Sequence, residues 1–168
     1  TRTATPLPPT ATPVAPTATP TPSGAPAACP CSLWSASSAP TTPSGTDSNS
    51  VEVGVRFTSD TAGYVTGVRF YKAGSNTGTH VGALWSATGQ LLAQGTFSGE
   101  SASGWQTLTF ATPAAVTAAT TYVASYLAPS GHYSVTPAAF ATGPIDNPPL
   151  HALADLHVDF AEVQEVGT

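Results

Sequence analysis

The sequence has very little charge. Only 8% of its residues are charged, with four Lys and Arg against nine Asp and Glu. About a quarter is usual for globular domains. A surface that neutralises phosphates needs many Lys and Arg, so we expect no nucleic-acid partner. Hydrophobic residues make up 40% of the chain, which is enough to build a core and excludes charge-driven disorder of the whole chain.

Long apolar runs and methionine are also missing. No stretch of about 18 apolar residues occurs, so we expect no membrane span. The chain begins at Thr1 without a signal-peptide pattern. We therefore expect a processed product or a fragment of an exported protein.

The N-terminal segment differs in composition from the rest of the chain. The stretch from Thr1 to Pro22 contains 8 Thr and 7 Pro and repeats Thr-Ala-Thr-Pro at 3–6, 10–13 and 17–20. Proline fixes φ and removes a backbone donor, which favours polyproline II over helix or central strand. The sequence thus predicts an extended arm or linker over 1–28 and a folded domain over 29–168; the part from Thr1 to Pro22 is roughly 70 Å long if fully extended.

Threonine between prolines is typical of O-glycosylated stalks. The candidate acceptors are Thr3, Thr5, Thr10, Thr12, Thr17, Thr19 and Thr21. A plain secreted linker without sugar is the alternative.

Short apolar runs separated by turn residues follow from Leu33 onward. In Val51 to Phe57, valines and Phe alternate with Glu, Gly and Arg, the period of a half-buried strand. Further strands are predicted at Tyr64 to Tyr71, Val81 to Trp85, Leu91 to Phe97, Trp105 to Phe110, Tyr122 to Leu127, His132 to Val135 and Leu156 to Val163. Strands at spacings of about ten residues predict an all-β antiparallel sandwich or barrel.

Two stretches do not fit the strand pattern. Pro113 to Thr120 is the only helix-like segment, but it is too rich in Thr and β-branched residues to form a helix. Pro137 to Leu153 has no periodicity and is predicted to be a long surface loop.

Several motifs between Cys31 and Val135 are long, ordered and closely spaced. They are Ser32-Leu33-Trp34, Asn49-Ser50-Val51-Glu52-Val53-Gly54-Val55-Arg56-Phe57, Gly63-Tyr64-Val65-Thr66-Gly67-Val68-Arg69-Phe70-Tyr71-Lys72, Asn76-Thr77-Gly78-Thr79-His80 with Leu84-Trp85, Ser103-Gly104-Trp105-Gln106, and Thr121-Tyr122-Val123-Ala124-Ser125-Tyr126. With these motifs the chain resembles DUF4082, a family of bacterial secreted domains of unknown function.

The resemblance implies a jelly-roll-like β-sandwich in a protein that is extracellular or on the bacterial cell surface. It implies non-catalytic surface binding or assembly, and it supplies no reaction. The C-terminal region is shorter than the family's usual pattern, and Leu156 to Val163 stands as the candidate closing strand.

No catalytic residues are predicted. The Ser-rich segment Gly99 to Ser103 lacks the second Gly of a nucleophile elbow and has no helix after it. Glu52 and Glu100 are the only Glu residues between Cys31 and Val135, and nothing in the sequence brings them together as a glycosidase pair. We therefore expect that the protein is not an enzyme.

No cofactor is predicted either. The four histidines, His80, His132, His151 and His157, lack the spacing of zinc ligands. A structural calcium bound by Asp47, Asn49 and Asp60 is the one alternative left open, because secreted sandwiches use such oxygen ligands. These residues also begin turns by side-chain hydrogen bonding, which explains them without a metal.

The two cysteines lie where the arm meets the domain. Cys29 and Cys31 are separated by a single Pro. In an exported protein an even count suggests disulfide bonding. A local pair that stiffens the joint and two separate bonds to a neighbouring subunit are both open.

Exposed aromatic rings are candidates for stacking against sugars. We select Trp34, Tyr71, Trp105 and Tyr133 for this role. Trp85 and Tyr122 follow the apolar alternation and are predicted to lie in the core. The alternative for the first group is that the rings cap the ends of the sandwich.

Two hypotheses of function follow. The first is a self-assembling subunit of an extracellular filament or surface coat, whose partners are other copies of the chain and whose arm is glycosylated. The second is an accessory carbohydrate-binding or adhesion module tethered by a Pro/Thr linker. The first is favoured at this stage because the chain ends soon after its last predicted strand, with no second domain.

Overall fold

The protein is built from strands. The computed structural model describes Cys29, residues 31–141 and 143–154, and the backbone of residues 161–167. Within these residues it contains no helix. The strands are β1 (Val51–Ser59), β2 (Gly63–Lys72), β3 (Val81–Ser86), β4 (Leu91–Thr96), β5 (Gly104–Val116), β6 (Tyr122–Ala128), β7 (Ile145–Asn147), β8 (Leu150–Ala152) and β9 (Ala161–Gly167). The all-β prediction is confirmed.

The strands form two antiparallel sheets. A six-stranded sheet has the order β4-β3-β6-β1-β8-β7, and a three-stranded sheet has the order β5-β2-β9. Every strand pair in both sheets is antiparallel. Buried side chains of both sheets form one core cluster. This arrangement confirms the predicted antiparallel sandwich, whereas the arm over 1–28 lies outside the described residues.

Period-two alternation in β1 decides which face of the six-stranded sheet is buried. Val53, Val55 and Phe57 point into the core, while Glu52 and Arg56 are exposed on the opposite face. The antiparallel register places Val53 opposite Tyr126 and Val55 opposite Ala124 on β6, and both partners are buried. Directly opposed residues of an antiparallel pair share a face. The outer face of this sheet is therefore defined by Glu52, Arg56 and the residues level with them.

A pair of stacked rings joins the two sheets. Phe70 of β2 and Tyr126 of β6 have ring centroids 4.1 Å apart and planes at 16°. Phe97 meets Phe70 edge-on at 4.9 Å. Phe70 is fully buried and Tyr126 is 1% exposed. Aromatic pairs in these geometries contribute beyond the area they bury, so this stack is a specific contact between the two sheets.

The predicted strand boundaries need three corrections. Strand β5 continues past Phe110 to Val116 and so takes in part of the helix-like segment. The stretch 137–153, predicted to be a loop, contains the β7–β8 hairpin, which a Pro-Pro turn closes. The strand predicted at 132–135 is wrong, because only Val135 pairs there, in an isolated bridge with Thr42.

The C-terminal strand is offset from its prediction. Strand β9 spans residues 161–167 and pairs with β2, placing Ala161 opposite Phe70 and Gly167 opposite Tyr64. It therefore overlaps only the last three residues of the predicted 156–163 run. The remainder of that run, 156–160, lies outside the described residues.

The start of the domain is fastened to the sandwich. Cys29 and Cys31 are bonded to each other, which is the local pair of the two alternatives. Farther along, Gly45 donates to the carbonyl of Tyr133, and Thr42 and Val135 exchange backbone hydrogen bonds. Residues 31–45 are thus held against the domain before β1 begins.

The stacked rings yield a test of the fold. Phe70→Ala is expected to lower the free energy of unfolding by about 3–5 kcal/mol, because it removes a fully buried ring and leaves a cavity. Tyr64→Ala on the same strand, where the ring is 52% exposed, should cost about 0.5 kcal/mol or less. Urea denaturation of both variants measures the difference. Equal midpoints would show that the stack does not hold the sheets together.

Candidate functional site

Three of the four predicted sugar-stacking residues gather around one buried arginine. Trp105 lies with its ring centroid 4.3 Å from the Arg69 guanidinium carbon, and Tyr71 meets Trp105 edge-on at 5.6 Å. The Arg69 guanidinium donates to the Ser32 hydroxyl at 3.1 Å and to the carbonyl of Trp34. Arg69 is only 8% exposed. The cluster therefore binds the N-terminal segment to the outer face of the three-stranded sheet.

These rings serve packing in the structure. The Trp105 indole N–H donates to the carbonyl of Ser38 at 2.9 Å, and one face of the ring is covered by Arg69. Trp34 and Tyr133 are half-buried and pack against the core. All four rings are partly exposed, and sugar stacking by them stays a prediction.

A pocket lies instead on the outer face of the six-stranded sheet. It is a shallow depression, open to solvent, with a volume of about 450 Å³. The lining residues, which define the outer-face pocket, are Glu52, Val53, Gly54, Val55, Arg56, Trp85, Val123 and Ser125. They come from three adjacent strands, β3, β6 and β1. The pocket is thus supported by the rigid centre of the sheet and not by loops.

A hydrogen-bond relay fixes the polar side of this pocket. The Trp85 indole N–H donates to the Ser125 hydroxyl at 2.8 Å, and that hydroxyl donates to a Glu52 carboxylate oxygen at 2.6 Å. Ser125 is 5% exposed, so the central link is shielded from water. The relay holds the indole and the carboxylate in fixed positions before any ligand arrives, which lowers the entropic cost of binding.

Gly54 forms the floor of the pocket between the two charged side chains. Its neighbours two residues away on the same face of β1 are Glu52 and Arg56. A Cβ at this position would collide with the carbonyl oxygen of Ala124 on β6. Glycine is therefore required by the close approach of the strands, and its missing side chain leaves space between an acid and a base.

Trp85 is the site residue that the sequence analysis placed wrongly. It was predicted to lie in the core, whereas it is half-buried on the outer face, level with Val123 of β6. Tyr122, predicted alongside it, is buried as expected, with 7% exposure. Trp85 directly follows Leu84, and neighbouring residues in a strand point to opposite faces of the sheet. A core position for Leu84 would therefore have placed Trp85 on the outer face.

A second polar group, the polar chain, crosses one part of the sandwich interior. It consists of Lys72, Glu100, His80, Asn76 and Tyr126. Lys72 Nζ lies 2.6 Å from one Glu100 oxygen, and His80 Nδ1 lies 2.9 Å from the other. His80 Nε2 lies 2.9 Å from the Asn76 amide oxygen, and the Asn76 amide nitrogen donates to the Tyr126 hydroxyl at 3.2 Å. The chain ends on the ring that stacks with Phe70.

The Glu100–His80 pair has the outline of part of a catalytic triad but no access to a substrate. His80 is fully buried, and both of its ring nitrogens already have partners. A general base needs a nitrogen that can take a proton from a reacting group. We therefore interpret the polar chain as structural, since buried polar groups that are fully hydrogen-bonded specify one arrangement of the interior.

Asp47 and Asp60, two of the candidate calcium ligands, have different hydrogen-bond or ion-pair partners. Asp47 accepts hydrogen bonds from the backbone and side-chain N–H groups of Asn49, which together lower the pKa of Asp47. Asp60 faces His151. In the part of the chain that the structure describes, no group of three or more His, Cys, Asp or Glu could hold a metal ion. The open calcium alternative gains no support from this geometry.

The family of the chain can be assigned. The family model described as Domain of unknown function (DUF4082) matches residues 37–167. The chain belongs to the DUF4082 family. The matched residues include β1 to β9, so the outer-face pocket and the polar chain lie inside the DUF4082 domain. Of the Arg69 cluster, Arg69, Tyr71 and Trp105 lie inside the match, whereas Ser32 and Trp34 precede it.

Two further findings concern the DUF4082 domain. No curated protein matches the chain significantly. Among the described residues, no helix is long and apolar enough to cross a membrane. The glycosylation candidates between Thr3 and Thr21 lie outside the described residues, and O-glycosylation stays a prediction.

The polar chain gives a stability test with a matched control. Glu100→Gln preserves the side-chain shape but removes the charge that Lys72 and His80 share, so unfolding should become easier by about 1–3 kcal/mol. Glu52→Gln changes an exposed carboxylate on the outer face and should cost about 0.5 kcal/mol or less. Denaturant midpoints of the two variants provide the comparison. A Glu100→Gln protein as stable as Glu52→Gln would mean that the polar chain does not stabilise the interior.

Proposed function

We propose that this DUF4082 domain is a non-catalytic carbohydrate-binding module whose site is the outer-face pocket. The observation that carries the proposal is the fixed grouping of Trp85, Ser125 and Glu52 beside the open floor at Gly54. Sugars present apolar C–H groups on one face and hydroxyls around the ring edge. An aromatic ring next to charged hydrogen-bonding groups suits both features.

The charges of the pocket favour a neutral sugar. Glu52 supplies acceptor oxygens and Arg56 supplies N–H donors, and the two lie on either side of Gly54. A hydroxyl can both donate and accept, so it pairs with either residue. A phosphate or a strongly acidic chain would gain from Arg56 but would be repelled by Glu52. The pocket therefore favours neutral hydroxyl-rich ligands over charged polymers.

The hypothesis of a self-assembling filament or coat subunit stays a prediction. It depends on the Thr/Pro arm over 1–28 and on contacts with other copies of the chain. The arm lies outside the described residues, and in the part of the sandwich that the structure describes no feature selects a second copy as the partner. The carbohydrate-binding hypothesis is preferred because a defined pocket supports it.

Binding to a printed glycan array tests the proposed function. The wild-type domain is expected to bind a subset of neutral glycans, and Trp85→Ala should weaken that binding by about tenfold or more, because a central aromatic contact is lost. Glu52→Gln keeps the shape and should weaken binding about threefold to tenfold, since a charge-assisted hydrogen bond becomes a neutral one.

Tyr64→Ala is the control, because Tyr64 is an exposed ring on the other sheet. It should bind as the wild type does. Absence of glycan binding by the wild type would contradict the proposal. So would equal losses in all three variants, which would place the site away from the outer-face pocket.

A further inference from the structure

A histidine between two aspartates joins three elements at the edge of the six-stranded sheet. His151 of β8 has Nδ1 hydrogen-bonded to an Asp146 oxygen of β7 at 2.7 Å. Its Nε2 lies 2.9 Å from an oxygen of Asp60, which follows β1. That second contact is an ion pair, because Nε2 is not aligned for a hydrogen bond. We name Asp60, His151 and Asp146 the clasp.

The clasp needs a protonated histidine to satisfy both carboxylates. A neutral imidazole can donate its one N–H to Asp146, which leaves the Asp60 carboxylate beside an uncharged ring, whereas the positive charge of the imidazolium attracts both carboxylates. Asp60 first, and then Asp146, raise the pKa of His151 above its ordinary value of 6.5. A raised folded-state pKa means that the stabilisation is complete below 6.5 and is lost as the pH rises through the folded-state pKa.

The clasp holds a small hairpin that borders the outer-face pocket. Strands β7 and β8 have three residues each, and Leu150 and Ala152 of β8 are fully buried in the core. Directly after β8, the Leu153 amide donates to the carbonyl of Arg56 at 2.8 Å, and Arg56 lines the pocket. Loosening of the hairpin at this end would therefore remove one backbone contact of Arg56.

Few charged groups face His151. Within the described residues they are Asp60 from the turn after β1, Asp146 from β7 and, two positions before Thr58 on the same face of β1, Arg56. We propose that the clasp is a pH-dependent latch that holds the β7–β8 hairpin against β1 in mildly acidic conditions, releases it as the pH rises, and thereby weakens glycan binding in the pocket. The binding part of this inference rests on the proposed function.

Amide hydrogen exchange tests the latch without any ligand. The protection of the Leu153 amide, corrected for intrinsic exchange at each pH, is expected to fall about tenfold between about pH 6 and pH 8.5. His151→Asn should abolish this dependence, because the group that titrates is gone. Asp60→Asn should reduce the pH dependence, because the remaining carboxylate, Asp146, needs only the single N–H of a neutral imidazole. His132→Asn, a histidine that contacts the Gly45 carbonyl, should behave as the wild type does.

Protection that does not change with pH in the wild type would overturn the latch, as would an unchanged profile in His151→Asn. The printed glycan array, run at the same two pH values, tests the link to the pocket. Weaker signal at the higher pH in the wild type but not in His151→Asn supports the link, and equal signal overturns it. An array with no signal at either pH refutes the proposed function and the link, while the exchange data still decide whether the latch exists.

Discussion

The stack of Phe70 on Tyr126 is the contact on which the rest of the structure depends. The two rings belong to opposite sheets and lie 4.1 Å apart, so they fix the distance and alignment between the sheets. The Tyr126 hydroxyl then receives the last hydrogen bond of the polar chain, which continues through His80 to Glu100. A single ring pair thus links the apolar core to a fully paired polar group at its border.

The inward orientation of Tyr126 also determines which side chains form the outer-face pocket. Once Tyr126 points inward, its neighbour Ser125 must point outward, because successive strand residues alternate between faces. The register with β1 places Gly54 opposite Ser125, and the register with β3 places Trp85 opposite Val123. An indole, a hydroxyl and a carboxylate are therefore brought together by strands whose inner faces are locked in the core. The positions of these side chains thus follow from the register of the strands and from the packing of their inner faces.

The sequence predicted the fold well wherever polar and apolar residues alternate clearly. Strand β1 is the best example, because its valines and Phe57 alternate with Glu52 and Arg56. It predicted Trp85 poorly, because both faces of Val81–Ser86 are largely apolar or small and the pattern does not show which face is buried. The β7–β8 hairpin was missed because each strand has only three residues. The Arg69 cluster and the clasp depend on contacts between residues distant in sequence, which periodicity does not reveal.

The central proposal is that ligand binds to the outer face of the six-stranded sheet and not to the aromatic cluster around Arg69. Two-dimensional NMR tests this most directly, with stepwise addition of the glycan that a printed array retains best. We expect saturable shifts that are largest at the Trp85 indole and at the amides of Gly54, Val123 and Ser125, with the Trp105 indole unmoved. Shifts centred on Trp105 and Tyr71, with the Trp85 indole unchanged, would contradict it.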